Sequence, residues 1–334
     1  MPYRYVPVVR TKAGEADALG NLDAVARARV FPLVRLTGTI PTTFLAKMVA
    51  SAAGFPIALD GIYNFEVTGS TVAYTALFNG LGQGGVPVIP TLSIRAQPAY
   101  NNAAAALIGA FGAGFVLHVP LADLPHLAPW VAGVAAWNPG QIDVLIDVGG
   151  VAEHAPAPYG NYVAHTINAS LAANHPWRSV TLHGWSAPKD YGPLNPGRND
   201  VARRDWQIWE WVKGLVPFQL DYSDSGHVHP SLDEVPGYAM ANATVSVRYA
   251  IDDQWIIHKG VRTSGANGIA MGTQYRGHAQ TLLADPDFGG LAIPSWGDGR
   301  IQHYATTQGG AGGRGQWAAV LLNRHIAHVA DRLP

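Results

Sequence analysis

The chain has 334 residues, 48% of them hydrophobic and only 13% charged, and its 22 basic and 23 acidic residues give a net charge of -1. This composition assures a sizeable core, excludes a disordered class, and leaves no bulk electrostatic pull toward nucleic acid or an anionic membrane. The absence of cysteine removes disulfides, thiolate catalysis and cysteine-ligated metal sites together.

The opening Met1-Pro2-Tyr3-Arg4-Tyr5 leads directly into a strand and carries no apolar signal core. With no disulfides to form, that favours a cytoplasmic setting. The longest apolar stretch, 103–119, is broken by Gly109, Gly112 and Gly114 and reads as a buried helix leading into a strand, not a membrane span.

Short β-rich runs alternate with helical segments along the chain. Strands are expected at 5–9, 31–36, 56–59, 86–92, 114–119, 142–148, 179–183 and 216–220. Helices are expected at 14–28, 42–53, 71–81, 101–111, 121–136, 162–173 and 203–213. Runs such as Val144-Leu145-Ile146 are continuous hydrophobes, as in a parallel strand covered on both faces. Eight strand–helix units point to an α/β fold of one domain, 1–334, closed as a (β/α)8 TIM-like barrel. An open doubly wound sheet followed by a small α+β domain is the competing architecture. After the eighth strand the pattern changes, and 225–313 reads as an insertion covering the barrel mouth. It holds a hairpin at 244–260 turning at Asp252-Asp253, a helix near 275–284, and the Gly-rich loop Gly309-Gly310-Ala311-Gly312-Gly313. The last helix, from about 316 to 332, completes the barrel.

Polar residues at strand carboxyl ends point into the mouth of such a barrel, where the core does not require them. They are Arg10 and Lys12 with Glu15 after strand one, Arg35 and Thr37 after strand two, Asp60 after three, and Ser93 and Arg95 after four. His118, Asp147 and His183 follow on strands five to seven, and Asp221 and Tyr222 on strand eight. Asp60, Asp147 and Asp221 are the candidate acid–base or metal-binding carboxylates; Arg10, Lys12, Arg35 and Arg95 are the candidate anion ligands. Each has a plainer reading. Asp60 and Asp147 suit helix caps or loop hydrogen bonds, the arginines suit ion pairs with them, and Glu15 suits the first turn of a helix. A lone strand histidine such as His118 or His183 is more often core than catalytic. The segment Asp221-Tyr222-Ser223-Asp224-Ser225-Gly226-His227-Val228-His229-Pro230 is the densest polar cluster. Asp221, Asp224, His227 and His229 could ligate a divalent metal, but their spacing matches no metal motif. No nucleotide-cofactor fingerprint is present: the loop at Gly309 lacks a phosphate-loop lysine, and no Gly-x-Ser-x-Gly elbow or HExxH helix occurs. Trp206 and Trp209 have helical spacing and read as a helix docked on the barrel.

The opening Tyr5-Val6-Pro7-Val8-Val9-Arg10-Thr11-Lys12-Ala13-Gly14-Glu15 resembles the Y-x-P-[hydrophobic]-x-x-x-K-x-G-E start of the beta family proteins of phages and bacteria. The resemblance continues through Arg204-Asp205-Trp206 with Trp209, Asp221-Tyr222, Arg248-Tyr249, Asp253-x-Trp255 and Ser295-Trp296-Gly297-Asp298 to Trp317 and Asn323-x-His325. These anchors run in order along almost the whole chain. The sequence departs from the family in having Leu220-Asp221-Tyr222-Ser223 where Gly-Asp-Tyr-Gly is frequent, and Arg324 where a second histidine is expected. The resemblance implies an association with phages and with mobile or defence loci, and supplies no reaction. It adds Tyr222 and His325 to the candidate ligand-binding residues beside His183.

Two functions fit. One is a barrel enzyme, hydrolytic in type, whose arginines hold a small anionic or phosphorylated ligand beside Asp60, Asp147 and Asp221. The other is a non-catalytic protein-binding module using the mouth and the hairpin, which the uncharged, Ala-rich composition favours. The near-zero net charge disfavours nucleic acid. Convergence of Arg35, Asp60, Arg95, Asp147 and Asp221 in one pocket would favour the enzyme.

Overall fold

The computed structural model of the chain describes residues 4–38, 42–133, 137–189, 191–231 and 244–334. Eight strands form one parallel sheet: β1 (Val8–Arg10), β2 (Leu33–Arg35), β3 (Ile57–Asp60), β4 (Val88–Ser93), β5 (Phe115–Pro120), β6 (Ile142–Gly150), β7 (Ser179–Trp185) and, last, β9 (Leu220–Ser223). Every residue of β3 and β4 is buried, in keeping with the apolar Ile57-Ala58-Leu59 and Val88-Ile89-Pro90 that open them. The sheet curls into a nearly closed barrel. At its seam Tyr5 bridges Tyr222 in parallel, and the amides of Val6 and Val8 donate to the carbonyls of Tyr222 and Asp224 at 2.8 Å.

Strand parity sorts the side chains. Val8, Leu33, Ala58 and Ile89 lie in register across the first four strands, and with Val116 and Leu145 of the same parity they form a small inner core. The alternate residues join the larger core beneath the surrounding helices. The amino end of the barrel is plugged by charge. Arg4 pairs with Asp143 at 3.2 Å and Asp221 at 3.1 Å, and Arg178 pairs with Asp143 at 2.6 Å. Burial opposes the charge of Asp143, but the Arg178 hydrogen bonds and the Arg4 charge outweigh it and hold its pKa below the ordinary value.

The helices depart from strict alternation. The single helix expected at 14–28 is two, α1 (Ala13–Gly20) and α2 (Ala24–Arg29), because the Asp23 carboxylate accepts the Ala26 amide at 2.8 Å and starts a new helix. Helix α3 (Thr42–Ser51) follows β2. Two helices, the unexpected α4 (Ile62–Thr68) and α5 (Val72–Gln83), follow β3; α6 (Pro98–Ala105) follows β4. The helix expected at 121–136 is a 3-10 segment, Leu121–His126, containing Pro125, and then α7 (Leu127–Ala132); 134–136 lie outside the described residues. Next come α8 (Pro156–Ser170) and α9 (Arg204–Lys213).

The hairpin expected at 244–260 is present as β10 (Ser246–Ile251) and β11 (Gln254–Lys259), paired antiparallel. A third strand, β8 (Gly197–Ala202), pairs with β11 from between β7 and α9. Its polar, largely exposed Gly197-Arg198-Asn199-Asp200 carries no strand signal. The hairpin packs on α10 (Met271–Leu283), α11 (Trp296–Thr306) and α12 (Arg314–Arg332) around Tyr275, Tyr304 and Trp317. Helix α11 was not expected. It begins with a capping box in which Ser295 Oγ accepts the Asp298 amide at 3.0 Å and Asp298 accepts the Ser295 amide at 3.2 Å. Among the described residues no helix is long and apolar enough to cross a membrane.

One fully buried polar knot fastens this second layer to the barrel. Asp224 accepts from Tyr5 Oη at 2.5 Å, Tyr222 Oη at 2.8 Å and the Gly226 amide at 2.8 Å, and it pairs with His325 of α12 at 2.9 Å and Arg203 at 3.3 Å. Tyr222 Oη also lies 2.5 Å from Asp205 Oδ2, so the two carboxyl groups share its single proton. Burial works against the Asp224 charge, but His325 and Arg203 prevail and hold its carboxyl far below the usual carboxylate range. Burial raises Asp205, and although Arg203 opposes it, the neighbouring Asp224 charge reinforces the rise.

Two substitutions separate charge from shape in this core. Asp224→Asn strips Arg203 and His325 of their anion and is expected to cost about 3–5 kcal/mol, whereas Asp205→Asn replaces a carboxyl already biased toward its neutral form and costs about 1 kcal/mol. Urea denaturation at pH 7 measures both, and equal losses would show that the Asp224 charge is not what joins the layers. Where α11 meets α12, a Cβ on Gly297 would lie 2.4 Å from the Val320 carbonyl oxygen. Gly297→Ala must push the helices apart, and a loss of about 2 kcal/mol is expected in the same measurement.

Candidate functional site

The carboxyl ends of the strands gather a polar constellation. Asp147 lies on β6 in register with His183 on β7, and His118 on β5 is in register with Leu145, one inward position below. His118 Nε2 meets Asp147 Oδ2 at 2.8 Å, and the Gly149 amide donates to Asp147 Oδ1 at 2.8 Å. Gly149, at φ 76°, sits in an irregularity of the β6–β7 ladder between Asp147 and Gly150, and only a glycine adopts that conformation without strain. Burial alone would raise the Asp147 pKa. The hydrogen bond from His118 and the charges of His183, His118 and Arg35 overcome it, so the carboxyl stays ionised far below its ordinary range.

His183 is fully buried, and its Nδ1 lies 2.9 Å from Ser223 Oγ. Ser223 spends its own proton on the Val6 carbonyl at 2.6 Å. Its oxygen can therefore only accept from His183, which places the proton on Nδ1 and leaves Nε2 as a bare lone pair. Among the described residues that Nε2 is buried without a hydrogen-bond partner. Burial, with Arg35 and His118 adding to it against the opposing Asp147 charge, pushes the imidazole pKa down to about 4.

Arg35 completes the group. Its Nε bonds Asp60 Oδ2 at 3.2 Å, and Asp60 Oδ1 accepts the Ile62 amide at 2.9 Å. Asp60 thus anchors an arginine and starts α4 at the same time. Arg10 pairs with Glu15 at 3.0 Å, and Lys12 precedes α1 on the surface. Beside the mouth, an open cleft of about 680 Å³ is lined by Trp185, Ser186, Lys189, Arg204 and His229.

Of the residues expected around one rim, Arg35, Asp60, His118, Asp147 and His183 do converge, and Arg10 is in register with Arg35. Asp221, Arg95, Tyr222 and His325 do not join them. Asp221 faces the amino end, where Arg4 takes both its oxygens. Arg95 is exposed and pairs with Asp123, away from the mouth. Tyr222 and His325 lie behind the barrel wall in the Asp224 knot, because Tyr222 has the outward parity of β9. His118, expected at the mouth but given no role, and Ser223, read only as part of the polar segment after strand eight, complete the constellation. The signal that finds them is parity: His118 is two residues beyond inward Val116, and Ser223 two beyond inward Asp221. Among the described residues no three His, Asp or Glu side chains come together to hold a metal, and Asp221 and Asp224 are committed to separate ion pairs.

The fold and this mouth define an α/β barrel-type protein with a histidine–aspartate pair and a second, neutral histidine at the strand ends. Residues 5–331 match the sequence model of the Beta protein family, and the chain belongs to that family. No curated protein matches it. Much of what carries the likeness is joinery. Tyr249 Oη donates to Asp298 at 2.7 Å, Arg324 pairs with Asp298 at 3.2 Å, and Asn323 takes the Gly297 amide at 2.9 Å while donating to the Ala18 carbonyl at 2.9 Å.

The depressed His183 pKa has a measurable consequence. An unfolded histidine near pKa 6.5 takes up its proton before the folded one does, so His183 favours the folded state above pH 6.5, and that advantage drains away as pH falls toward 4. His183→Gln removes this dependence. The wild type's stability relative to the variant is expected to fall by roughly 2–3 kcal/mol between pH 7 and pH 4.5 in urea denaturation. A difference that stays flat across those two pH values would mean the imidazole titrates normally.

Proposed function

We propose that the mouth is the active site of an enzyme, hydrolytic in type, that acts on a small anionic or phosphorylated ligand. The observation that carries this reading is the Nε2 of His183, buried and unpartnered among the described residues, beside the ionised Asp147 that holds His118. A neutral imidazole with a free lone pair in a dry site is suited to take a proton from water, and here it meets no competing donor. His118, tied through Nε2 to Asp147, is the partner that returns a proton to the leaving group, since the carboxylate stabilises the imidazolium that proton transfer requires. Arg35, held by Asp60, adds positive charge where an anion reacts, and Arg10 and Lys12 extend it along the rim. The Trp185 cleft has the volume of a small-ligand site and would take the rest of the molecule. In this reading the sheet is a (β/α)8-type barrel forming one domain with the small sheet and α10–α12 as its cover, and the protein works in the cytoplasm in a phage-associated or defence setting.

A protein-binding module remains the second reading. It is favoured by β8, which among the described residues pairs only with β11 and leaves its outer edge open.

Hydrolysis of p-nitrophenyl phosphate and bis(p-nitrophenyl) phosphate by the purified protein distinguishes the two. Turnover is expected in the wild type, with a loss of about 10²–10⁴-fold in His183→Gln and a comparable loss in Asp147→Asn, while both variants stay folded at pH 7. No turnover in the wild type, or equal rates in all three proteins, sinks the enzymatic reading and favours the module.

A further inference from the structure

We propose that Arg248, His227 and Tyr191 form the pocket for a tetrahedral oxyanion, the phosphate group of a ligand, where the hairpin meets the barrel mouth. This deepens the reading of the mouth as an anion-using site and rests on it for the ligand's location.

The arginines expected to bind an anion each already have a carboxylate partner: Arg10 has Glu15, Arg35 has Asp60 and Arg95 has Asp123. Arg248 is different. It is half-buried on β10, its guanidinium lies 4.0 Å over the Tyr191 ring, and its Nη1 donates to the His227 carbonyl at 3.5 Å. Among the described residues no carboxylate pairs with it, and its Nε is buried without a hydrogen-bond partner. Stacking on Tyr191 fixes the plane of the fork while leaving donors unspent.

Two further buried polar atoms lie beside it. His227 is 5% exposed, and among the described residues its Nδ1 has no hydrogen-bond partner; the Tyr191 hydroxyl has only the Arg248 guanidinium beside it. The charges of Arg248, His325 and Arg10 bear on His227 against that of Asp224. Each unmade bond in a buried site costs free energy, and unspent donors on Arg248 and His227 side by side call for an explanation. A water molecule could serve the bonds but would leave the arginine charge unbalanced. A group that only accepts, carries negative charge and presents several oxygens answers both needs, and phosphate is that group. The segment Gly226-His227-Val228-His229 begins three residues past the carboxyl end of β9, which places a phosphate held here on the mouth side of the barrel.

Isothermal titration of the full chain with inorganic phosphate at pH 7 and fixed ionic strength tests the assignment. Saturable binding is expected, weakened about 10–100-fold in Arg248→Gln and less in Arg248→Lys, which keeps the charge but loses the planar fork. Tyr191→Phe keeps the stack and loses only the hydroxyl, so a several-fold weakening there reads the same pocket even if Arg248→Gln does not fold. His183→Gln should bind phosphate about as tightly as the wild type, because His183 acts on the ligand and does not hold this group. A second titration with p-nitrophenyl phosphate separates sources: equal affinity means that free phosphate suffices, and tighter binding that an ester is preferred. Absence of saturation in the wild type, or wild-type affinity in both Arg248→Gln and Tyr191→Phe, overturns the pocket. Neither result touches the enzymatic reading, which stands or falls on His183→Gln turnover.

Discussion

The carboxylate of Asp224 is the point on which the architecture turns. It sits one residue past β9, at the seam where the barrel comes closest to closing, and its carbonyl accepts the Val8 amide across that seam. Its side chain reaches outward to the first strand's approach through Tyr5, to α9 through Arg203, and to α12 through His325. A buried ion network of this kind adds little net stability over an apolar core, yet it admits only one arrangement of its members. Closing the sheet and seating the cover are therefore one event. The outward commitment of Asp224 also leaves Ser223, one residue earlier and of opposite parity, to face inward and set the tautomer of His183.

That coupling clarifies how the molecule separates stability from chemistry. The amino end of the barrel is stoppered by Arg4, Arg178, Asp143 and Asp221, all mutually neutralised. Among the described residues the carboxyl end keeps a lone pair unspent on His183 and a cation without a carboxylate on Arg248. Polar groups left unmatched in a low-charge chain are costly, and at the strand carboxyl ends these two stand where a ligand can meet them. The proposed reaction and the proposed phosphate pocket draw on different members of that set, so they can be tested apart.

The sequence motifs divide along the same line. Ser295-Trp296-Gly297-Asp298, Tyr249 and Asn323 read as a signature because α11, α12 and β10 can only meet through them: Gly297 has no room for a Cβ, and Asn323 is spent on two backbone groups. The groups assigned to chemistry stand mostly outside the signature.

Periodicity and burial rules read from the sequence alone placed seven of the parallel strands, the hairpin and the final helix, because continuous apolar runs and alternating ones are direct records of which faces are covered; the eighth strand, expected at 216–220, lies at Leu220–Ser223, where its polar residues hid it. Strand ends likewise located Arg35, Asp60, Asp147 and His183. What the sequence left open depends on contacts between distant segments. Asp221 and Tyr222 are neighbours in the chain, yet parity and the arrival of Arg4 send one into the amino-end plug and the other behind the wall. Strand β8 exists only because β11 offers it a ladder, and α4 only because Asp60 turns the chain. The free lone pair of His183 follows from a proton that Ser223 gives to Val6, 217 residues earlier in the chain. Local pattern fixes which face a side chain takes, whereas its charge state and its unspent bonds are set by neighbours that folding alone brings within reach.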